Sequence, residues 1–419
     1  MKRITSTILY IAFTVFIIGG CDGHSKLVDD VIPVSYIILS QPTATVEVGQ
    51  SLVLSATVLP ADATTKDVVW SSSETAVATV SEGTVSTVSI GTTIITASAG
   101  EQSAFCEVTV VAKDEENPSL PEEPSLVYFT SNLSADGLVR IYEALNRPAK
   151  GNVAVKISTG ESAHSNHLRP EFMKDLMKAV NGTFVECNTA YGGNRSNTAA
   201  HRRAIADRGF EDIAEVDIMD EEGDIQLPVI DTKWLKYNIV GSHLENYDFL
   251  INLAHFKGHA MGGFGGVLKN QSIGIASVAG KNYIHTAGRS TTSWGGNNDQ
   301  DSFLEAMAAA AQSVHIKFGE NILYINVMNN MSVDCDCSGN PATPQIQDIG
   351  ILASLDPVAL DKACLDLVFN HTDTVGDNAQ PLRDRINRQH GTHIVDYAAK
   401  IGLGSLKYRI IDIDTKQSE

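Results

Sequence analysis

Hydrophobic and polar residues repeat with two different periods along this chain, and the change falls just after residue 112. Between Ser35 and Val111 the stretches YIILS, TVEVG, SLVLSATVLP, VVWSSS, VATVSEGTVSTVSIGTTIITASAG and CEVTVV alternate every second position. They are rich in Val, Thr and Ser and are separated by turn residues. That pattern predicts short antiparallel strands stacked as an all-β sandwich over residues 34–112. Trp70 is assigned to packing between the sheets and Cys106, in the last strand, to a buried small hydrophobe.

KDEENPSLPEEPS, residues 113–125, breaks the alternation with five acidic residues and three prolines. Such composition stays extended and solvated, so it reads as a semi-rigid linker. From 126 to 419 apolar runs alternate with segments of helical period. LVYFTS precedes SADGLVRIYEALN, NVAVKIST precedes PEFMKDLMKAV, and TFVECNTA precedes NTAAHRRAIADRG. YDFLINLAHF, NILYINVMN and DIGILASL read as further buried strands; DSFLEAMAAAAQSVHIKFG and DPVALDKACLDLVF read as helices. Asp356 before Pro357 is a helix start, so Asp356 is assigned a capping role and Cys364 a core position. Repeated strand-helix units predict a larger α/β domain with a mostly parallel sheet, covered by helices on both faces.

Composition narrows the partners. Hydrophobic residues make up 43% and charged residues 19%, which fits folded domains rather than extensive disorder. The 31 Lys+Arg against 50 Asp+Glu give a formal charge of -19, which excludes nucleic acid as an electrostatic partner. The start, MKRITSTILYIAFTVFIIGGCDG, has Lys2 and Arg3 before an apolar run from Ile8 to Ile18, as in a secretory signal. Gly19-Gly20-Cys21 resembles the bacterial lipobox. The resemblance implies a signal peptide over 1–20, lipidation of Cys21, a tether over 21–33, and two or three acyl chains, palmitate among them, holding the protein on a membrane. The expected location is the bacterial cell envelope, at the outer membrane or cell surface in a Gram-negative host. No other segment is apolar for long enough to span a bilayer.

Ligands of open parallel sheets gather beyond the carboxyl ends of the strands, so the polar loops there hold the candidate chemistry. One is His255-Phe-Lys257-Gly-His259-Ala-Met-Gly262-Gly263-Phe-Gly265-Gly266-Val-Leu-Lys269-Asn270. Its glycines would let the backbone approach a ligand and present N–H groups to an anion, with Lys269 as counter-charge. Lys257, Gly262, Gly263, Gly265, Gly266, Lys269 and Asn270 are therefore candidates for binding a small anionic ligand; a cell-surface glycan is the alternative partner. The spacing is neither a Walker loop nor a dinucleotide fingerprint. His255 and His259 stand four apart, His285 is a weaker third candidate, and His164, His167 and His201 are assigned to solvent.

The second loop is Met331-Ser-Val-Asp334-Cys335-Asp336-Cys337. On an extended chain the two cysteines lie on one side with Cα atoms about 6.6 Å apart. That is near the upper limit for a disulfide and comfortable for two thiolates on one metal. Metal binding, a local disulfide and a purely structural role all remain open at this point. The acidic flanks raise the thiol pKa values and disfavour a free reactive thiolate.

The stretches FVECNTAYGGNR, NLAHFKGHAMGGFGGVLKNQSIGIAS, INVMNNMSVDCDCSG and DIGILASLDPVALDKACLDLV closely resemble domain-of-unknown-function family 362, the uncharacterised iron-sulfur centre proteins, over roughly 126–415. The resemblance implies a shared fold and site, with no established reaction. It also implies an iron-sulfur cluster, but the CxxCxxCxxxC spacing that many members carry is absent here. A divalent metal, zinc foremost, on Cys335, Cys337, His255 and His259 is the expected centre, and no catalytic residue is assigned. The segment LPADATTKDVVWSSSETAVATVSEGTVSTVSIGTTIITASA resembles the bacterial Ig-like group 2 domain, a common stalk or adhesion module.

Overall fold

The computed structural model describes residues 31–111, 123–293, 295 and 299–415. The expected signal peptide with Cys21 and nearly all of the acidic linker lie outside these residues.

The first region is a β sandwich. Its strands are β1 (Tyr36–Leu39), β2 (Thr43–Glu47), β3 (Ser51–Val53), β4 (Ala56–Leu59), β5 (Val69–Ser72), β6 (Ala78–Ser81), β7 (Thr84–Thr87), β8 (Gly91–Ala99) and β9 (Gln102–Val111). A four-stranded sheet ordered β2-β9-β8-β5 faces a three-stranded sheet ordered β3-β7-β6, with β1 and β4 paired at one end. In β9 the side chains of Ala104, Cys106, Val108 and Val110 point inward while those between them are more exposed, the period of two on which the expectation rested. Cys106 is buried and free, and Trp70 is partly buried against the same core.

The second region opens with β10 (Ser125–Thr130), α1 (Ala135–Ala144), β11 (Val153–Lys156), α2 (Pro170–Val180), β12 (Thr183–Glu186), α3 (Thr198–Asp207) and β13 (Val216–Ile218). A hairpin of β14 (Asp224–Pro228) and β15 (Tyr237–Gly241) leads to β16 (Phe249–His255). A small hairpin, β17 (Lys257–His259) with β18 (Gly263–Gly265), leads to α4 (Val267–Ser272), α5 (Val278–His285) and α6 (Gln300–Phe318). The chain then forms β19 (Ile322–Met328), β20 (Gly350–Ser354), α7 (Pro357–Phe369), α8 (Gln380–Arg388), α9 (His393–Lys400) and β21 (Tyr408–Asp412).

Eight of these strands make one sheet in the order β13-β12-β11-β16-β19-β20-β10-β21, with only β20 running antiparallel to its neighbours. The two central strands are buried on both faces. Leu250 and Ala254 of β16 and Ile322, Tyr324 and Met328 of β19 face the core that α4 to α7 and α9 cover. Phe249, Ile251 and Leu253, with Leu323, Ile325 and Val327, face the core that α1 and α2 cover. Helix ends follow their local chemistry. Asp356 accepts from the N–H groups of Val358 and Ala359 with Pro357 in the first turn of α7, and Ser134 and Asn197 cap α1 and α3.

The two regions touch. Ile38 and Leu59 of the sandwich belong to the hydrophobic core that also contains α7, and the Tyr36 ring lies 5.4 Å from that of His371. No helix among the described residues is long and apolar enough to cross a membrane.

Candidate functional site

Strand β11 pairs with β12 on one side and β16 on the other, so the chain leaves the sheet in opposite directions between β11 and β16. At such a switch point the loops diverge and open a crevice. Here the crevice is a cavity of about 310 Å³. It is lined from β11 by Lys156, from β12 and its loop by Glu186, Cys187 and Arg195, from β16 to α4 by His255, Lys257, His259, Lys269 and Asn270, from α5 by Lys281 and His285, and from the loop after β19 by Cys335, Asp336 and Cys337.

Charge in the cavity is largely paired. Glu186 takes Lys156 Nζ at 3.2 Å and Arg195 Nη1 at 3.1 Å, and accepts the Thr159 N–H at 2.8 Å. Arg195 Nε reaches Glu161 at 3.2 Å. Burial acts to raise the Glu186 carboxyl, but Lys156 and Arg195 outweigh it and hold the group well below the usual carboxylate range. Asp336 is the second buried anion. His255 Nδ1 lies 3.0 Å from its Oδ1 and Lys257 Nζ 2.7 Å from its Oδ2, so despite burial its carboxyl is also held far down.

That arrangement changes the expected metal site. His255 Nε2 faces the Asn329 carbonyl at 2.6 Å and Nδ1 faces Asp336, so both ring nitrogens meet oxygen acceptors and neither offers a lone pair to an ion. His255 instead fixes the loop that carries the cysteines. The ligand atoms of His259, Cys335 and Cys337 do come together, all within 4.8 Å of one another. The two sulfurs form a disulfide. The segment is a turn rather than an extended strand, with Ser338 N–H donating to the Cys335 carbonyl, and the Cα atoms close to 5.2 Å. The acids on either side face cations: Asp336 faces Lys257, and Asp334 lies 3.4 Å from Arg385.

His259 is held in one tautomer. Its Nδ1 accepts the N–H groups of Gly262 at 2.8 Å and Met261 at 3.2 Å. Burial, then the charge of Lys269, pushes its pKa well below the usual histidine value, so the ring is neutral with its proton on Nε2. His285 has the opposite arrangement: Nδ1 donates to the Lys281 carbonyl at 2.6 Å, and burial lowers its pKa to about 4.

The glycine-rich stretch is not an anion cradle. Gly263 and Gly265 lie in the β17–β18 hairpin, and the N–H groups of Val267 and Leu268 at the start of α4 are taken by Asp361 at 2.9 and 3.0 Å. Burial raises the Asp361 carboxyl to about 6. The glycines serve close packing: a Cβ at Gly258 would meet the Val333 carbonyl oxygen at 2.2 Å, one at Gly266 would meet Asp361 at 2.2 Å, and Gly263 has φ +79°. Gly262 lies in the turn that caps His259. Asn270 is bound to the Lys156 carbonyl and to Asn252, and Lys257 to Asp336. The Lys269 ammonium group alone of the expected side-chain anion ligands makes no hydrogen bond or ion pair among the described residues, and it is accessible from the cavity.

Several groups were not singled out from sequence. Lys156 sat unremarked inside the apolar run NVAVKIST, where its charge was the available signal; Glu186 lay in the strand TFVECNTA, Arg195 in the polar loop after it, and Lys281 four residues before the candidate His285. His167 and His201 are not solvated but buried, His201 between Thr159 and Asn188, with their pKa values lowered by burial to about 4 and about 3. His164 is exposed.

The family profile described as "Domain of unknown function (DUF362)" matches residues 153–366, just over half of the chain and the whole wall of the cavity. The chain belongs to the DUF362 family. Ahead of the DUF362 domain, residues 33–110 match the bacterial Ig-like domain (group 2). An Ig-like virion protein of Serratia phage KSP90 is 57% identical over 49 residues, which are 12% of this chain and 19% of that protein, so the chain spans about a fifth of the curated relative it matches. Among solved structures, domains 4 and 5 of the S-layer protein SbsC are 28% identical over 18% of this chain and 51% of theirs, with a TM-score of 0.17. The lactate racemase apoprotein from Thermoanaerobacterium thermosaccharolyticum is 17% identical, with 60% of this chain and 59% of that one covered and a TM-score of 0.37.

The cluster that the family's name implies does not fit the residues present. A four-thiolate cluster needs four cysteines at one place; beside Cys335 and Cys337, Cys106 and Cys364 lie in separate cores, and the thiol of Cys187 points to the Ile275 carbonyl. Two sulfurs fit a single ion once the disulfide is reduced, and His259 can join them only where its Nδ1 gives up the Gly262 and Met261 N–H groups.

Proposed function

We propose that the DUF362 domain binds a small anionic molecule, a carboxylate foremost, in the cavity at the switch point, and that the Ig-like domain displays it outside the cytoplasm. The observation that carries this reading is an excess of cations. Lys156, Arg195 and Lys257 are matched by Glu186, Glu161 and Asp336, but Lys269 and Lys281 face the cavity with no carboxylate partner among the described residues. Enclosed ammonium groups without counter-charge are costly unless an anion joins them or the proton is given up. A cavity of this volume takes a molecule of a few to about a dozen heavy atoms. Thermal unfolding with acetate, propionate, pyruvate and phosphate tests it: saturable stabilisation is expected for at least one carboxylate and is lost in Lys281→Ala. No saturable shift with any of the four defeats the reading.

A second reading concerns the cysteine pair. The adjacent sulfurs of Cys335 and Cys337, with His259 close by, support one thiolate-bound divalent ion, zinc foremost, which the imidazole joins by exchanging its Nδ1 contacts with the Gly262 and Met261 N–H groups. Uptake is redox-linked, because two electrons and two protons must first open the disulfide and the thiol protons leave as the ion binds. Reduced protein titrated with Co(II) should show thiolate charge-transfer absorption that Cys335→Ser with Cys337→Ser abolishes. Display outside the cytoplasm rests on the Ig-like domain and the signal at the N-terminus. Metabolic labelling with a palmitate analogue, lost in Cys21→Ser, tests the lipid anchor.

A further inference from the structure

We propose that Lys269 is a covalent binding residue, whose ε-amine condenses with the carbonyl of a small 2-oxo acid held in the cavity to form an imine. The proposal rests on the anion-binding reading and narrows it to a substrate class.

The cavity's four lysines differ in what occupies them. Lys156 donates to Glu186 and to the Ile157 carbonyl, Lys257 to Asp336, and Lys281 to the Ala276 carbonyl. Lys269, in the short helix α4, donates to nothing among the described residues, and the surface it keeps accessible faces the cavity. A lysine used for structure is paired; one left with a free nitrogen in an enclosed site is placed to use its lone pair. The surroundings keep that lone pair available. Burial, with the positive charges of Lys257, Lys156 and Arg195, pushes Lys269 down to about 7, so about half of it is free amine at neutral pH. An ordinary lysine under the same conditions is almost entirely ammonium.

The other requirements are met by groups already described. Lys281 is the remaining unmatched cation and serves the substrate's carboxylate. His259, whose Nδ1 accepts the Gly262 and Met261 N–H groups and which therefore carries a proton on Nε2, is a hydrogen-bond donor for the oxygen that leaves the carbonyl. His285 is a second neutral imidazole in the wall.

The step balances without a further reactant. The amine nitrogen attacks the carbonyl carbon, a C–N bond forms, and the C=O electron pair moves to oxygen. A proton passes from nitrogen to that oxygen, giving a carbinolamine. The C–O bond then breaks and the oxygen leaves as water with a second proton, the one released to solvent when the ammonium became the free amine, so that ammonium and ketone become iminium and water. Nothing is oxidised or reduced, and the iminium charge faces the substrate's own carboxylate.

The test uses the whole protein with pyruvate and sodium cyanoborohydride, which traps an imine as a stable amine and spares the disulfide. Intact mass should show one reduced pyruvyl group, which peptide mapping places on Lys269, and the trapping rate should rise with pH through about 7. Lys269→Arg keeps a cation in the cavity and should lose the adduct; propionate, which has an anion but no carbonyl, should stabilise the unaltered protein without forming one. Mapping on the unaltered protein keeps the test decisive if that variant does not fold. If pyruvate and propionate both stabilise the protein but Lys269 carries no adduct, the imine is wrong and the anion pocket stands. Adducts spread evenly over surface lysines overturn the imine as well. If neither compound stabilises and nothing is trapped, both readings fall.

Discussion

The Ig-like and DUF362 domains handle buried polarity in opposite ways. In the Ig-like domain the one buried polar side chain among the described residues is Thr93, whose hydroxyl meets Ser72, Ser73 and the Glu74 N–H. Of the charged side chains that the DUF362 domain buries, Lys156, Glu186, Arg195, Lys257, Lys281 and Asp336 gather at one edge of its sheet, while Glu305, Asp361 and Asp366 are buried elsewhere. Burying charge costs stability, so a fold concentrates it where the chemistry needs it. The interior of the sandwich is apolar; the cavity of the α/β domain is built around ion pairs that hold two loops and leave two cations over.

The sharpest way to break this contrast is Asp336→Ala. It leaves Lys257 and His255 facing no anion and releases the cysteine loop, and about 3–5 kcal/mol should be lost. Denaturant unfolding, followed by a probe in each domain, should show the loss in the DUF362 transition alone; an equal shift of both transitions would show that the contact through Ile38 and Leu59 makes one cooperative unit.

Acid should act next most strongly and on the same domain. Asp336 and Glu186 have folded pKa values below their ordinary 3.8 and 4.5, so their contribution is complete above those values and is lost as pH falls below them. Stability of the DUF362 domain should begin to decline below pH 4.5 and fall more steeply below 3.8, and Asp336→Asn should flatten the decline. A sandwich transition that weakens in parallel would contradict the comparison.

Smaller effects sharpen it. Ile95→Val, in the fully buried core of the sandwich, should cost about 0.5–1.5 kcal/mol in the Ig-like transition and leave carboxylate binding unchanged. Lys269→Met should do the reverse. It removes a cation that has no partner, so stability should hold or rise by up to about 1 kcal/mol while stabilisation by carboxylates falls. A marked destabilisation would mean that Lys269 has a structural role.

Much of the architecture was legible because its causes are local. The helix PEFMKDLMKAV begins and ends where its apolar period and Pro170 place it, and Asp356-Pro357 opens α7 as a cap and a pre-set first turn. The rule that ligands gather beyond parallel strands placed the loops after β11, β12, β16 and β19 at one edge. His259, Cys335, Cys337 and Lys269 do meet there. Placing His255 among the metal ligands failed for a reason that spacing cannot reveal: Asp336, 81 residues away, takes its ring. The glycine stretch misled similarly, because Asp361, 94 residues from Val267, occupies the N–H groups that an anion would have used.

Sequence alone therefore determined the two domains, their strand and helix periods and the edge where the chemistry collects, since side-chain period and capping depend on neighbours within a turn or two. Tertiary structure decided which charges are paired, which tautomer His259 adopts, that Cys335 and Cys337 close on each other, and that Lys269 is left without a partner. Those outcomes depend on groups brought within about 3 Å from distant parts of the chain, where burial makes each pairing strong and each omission costly.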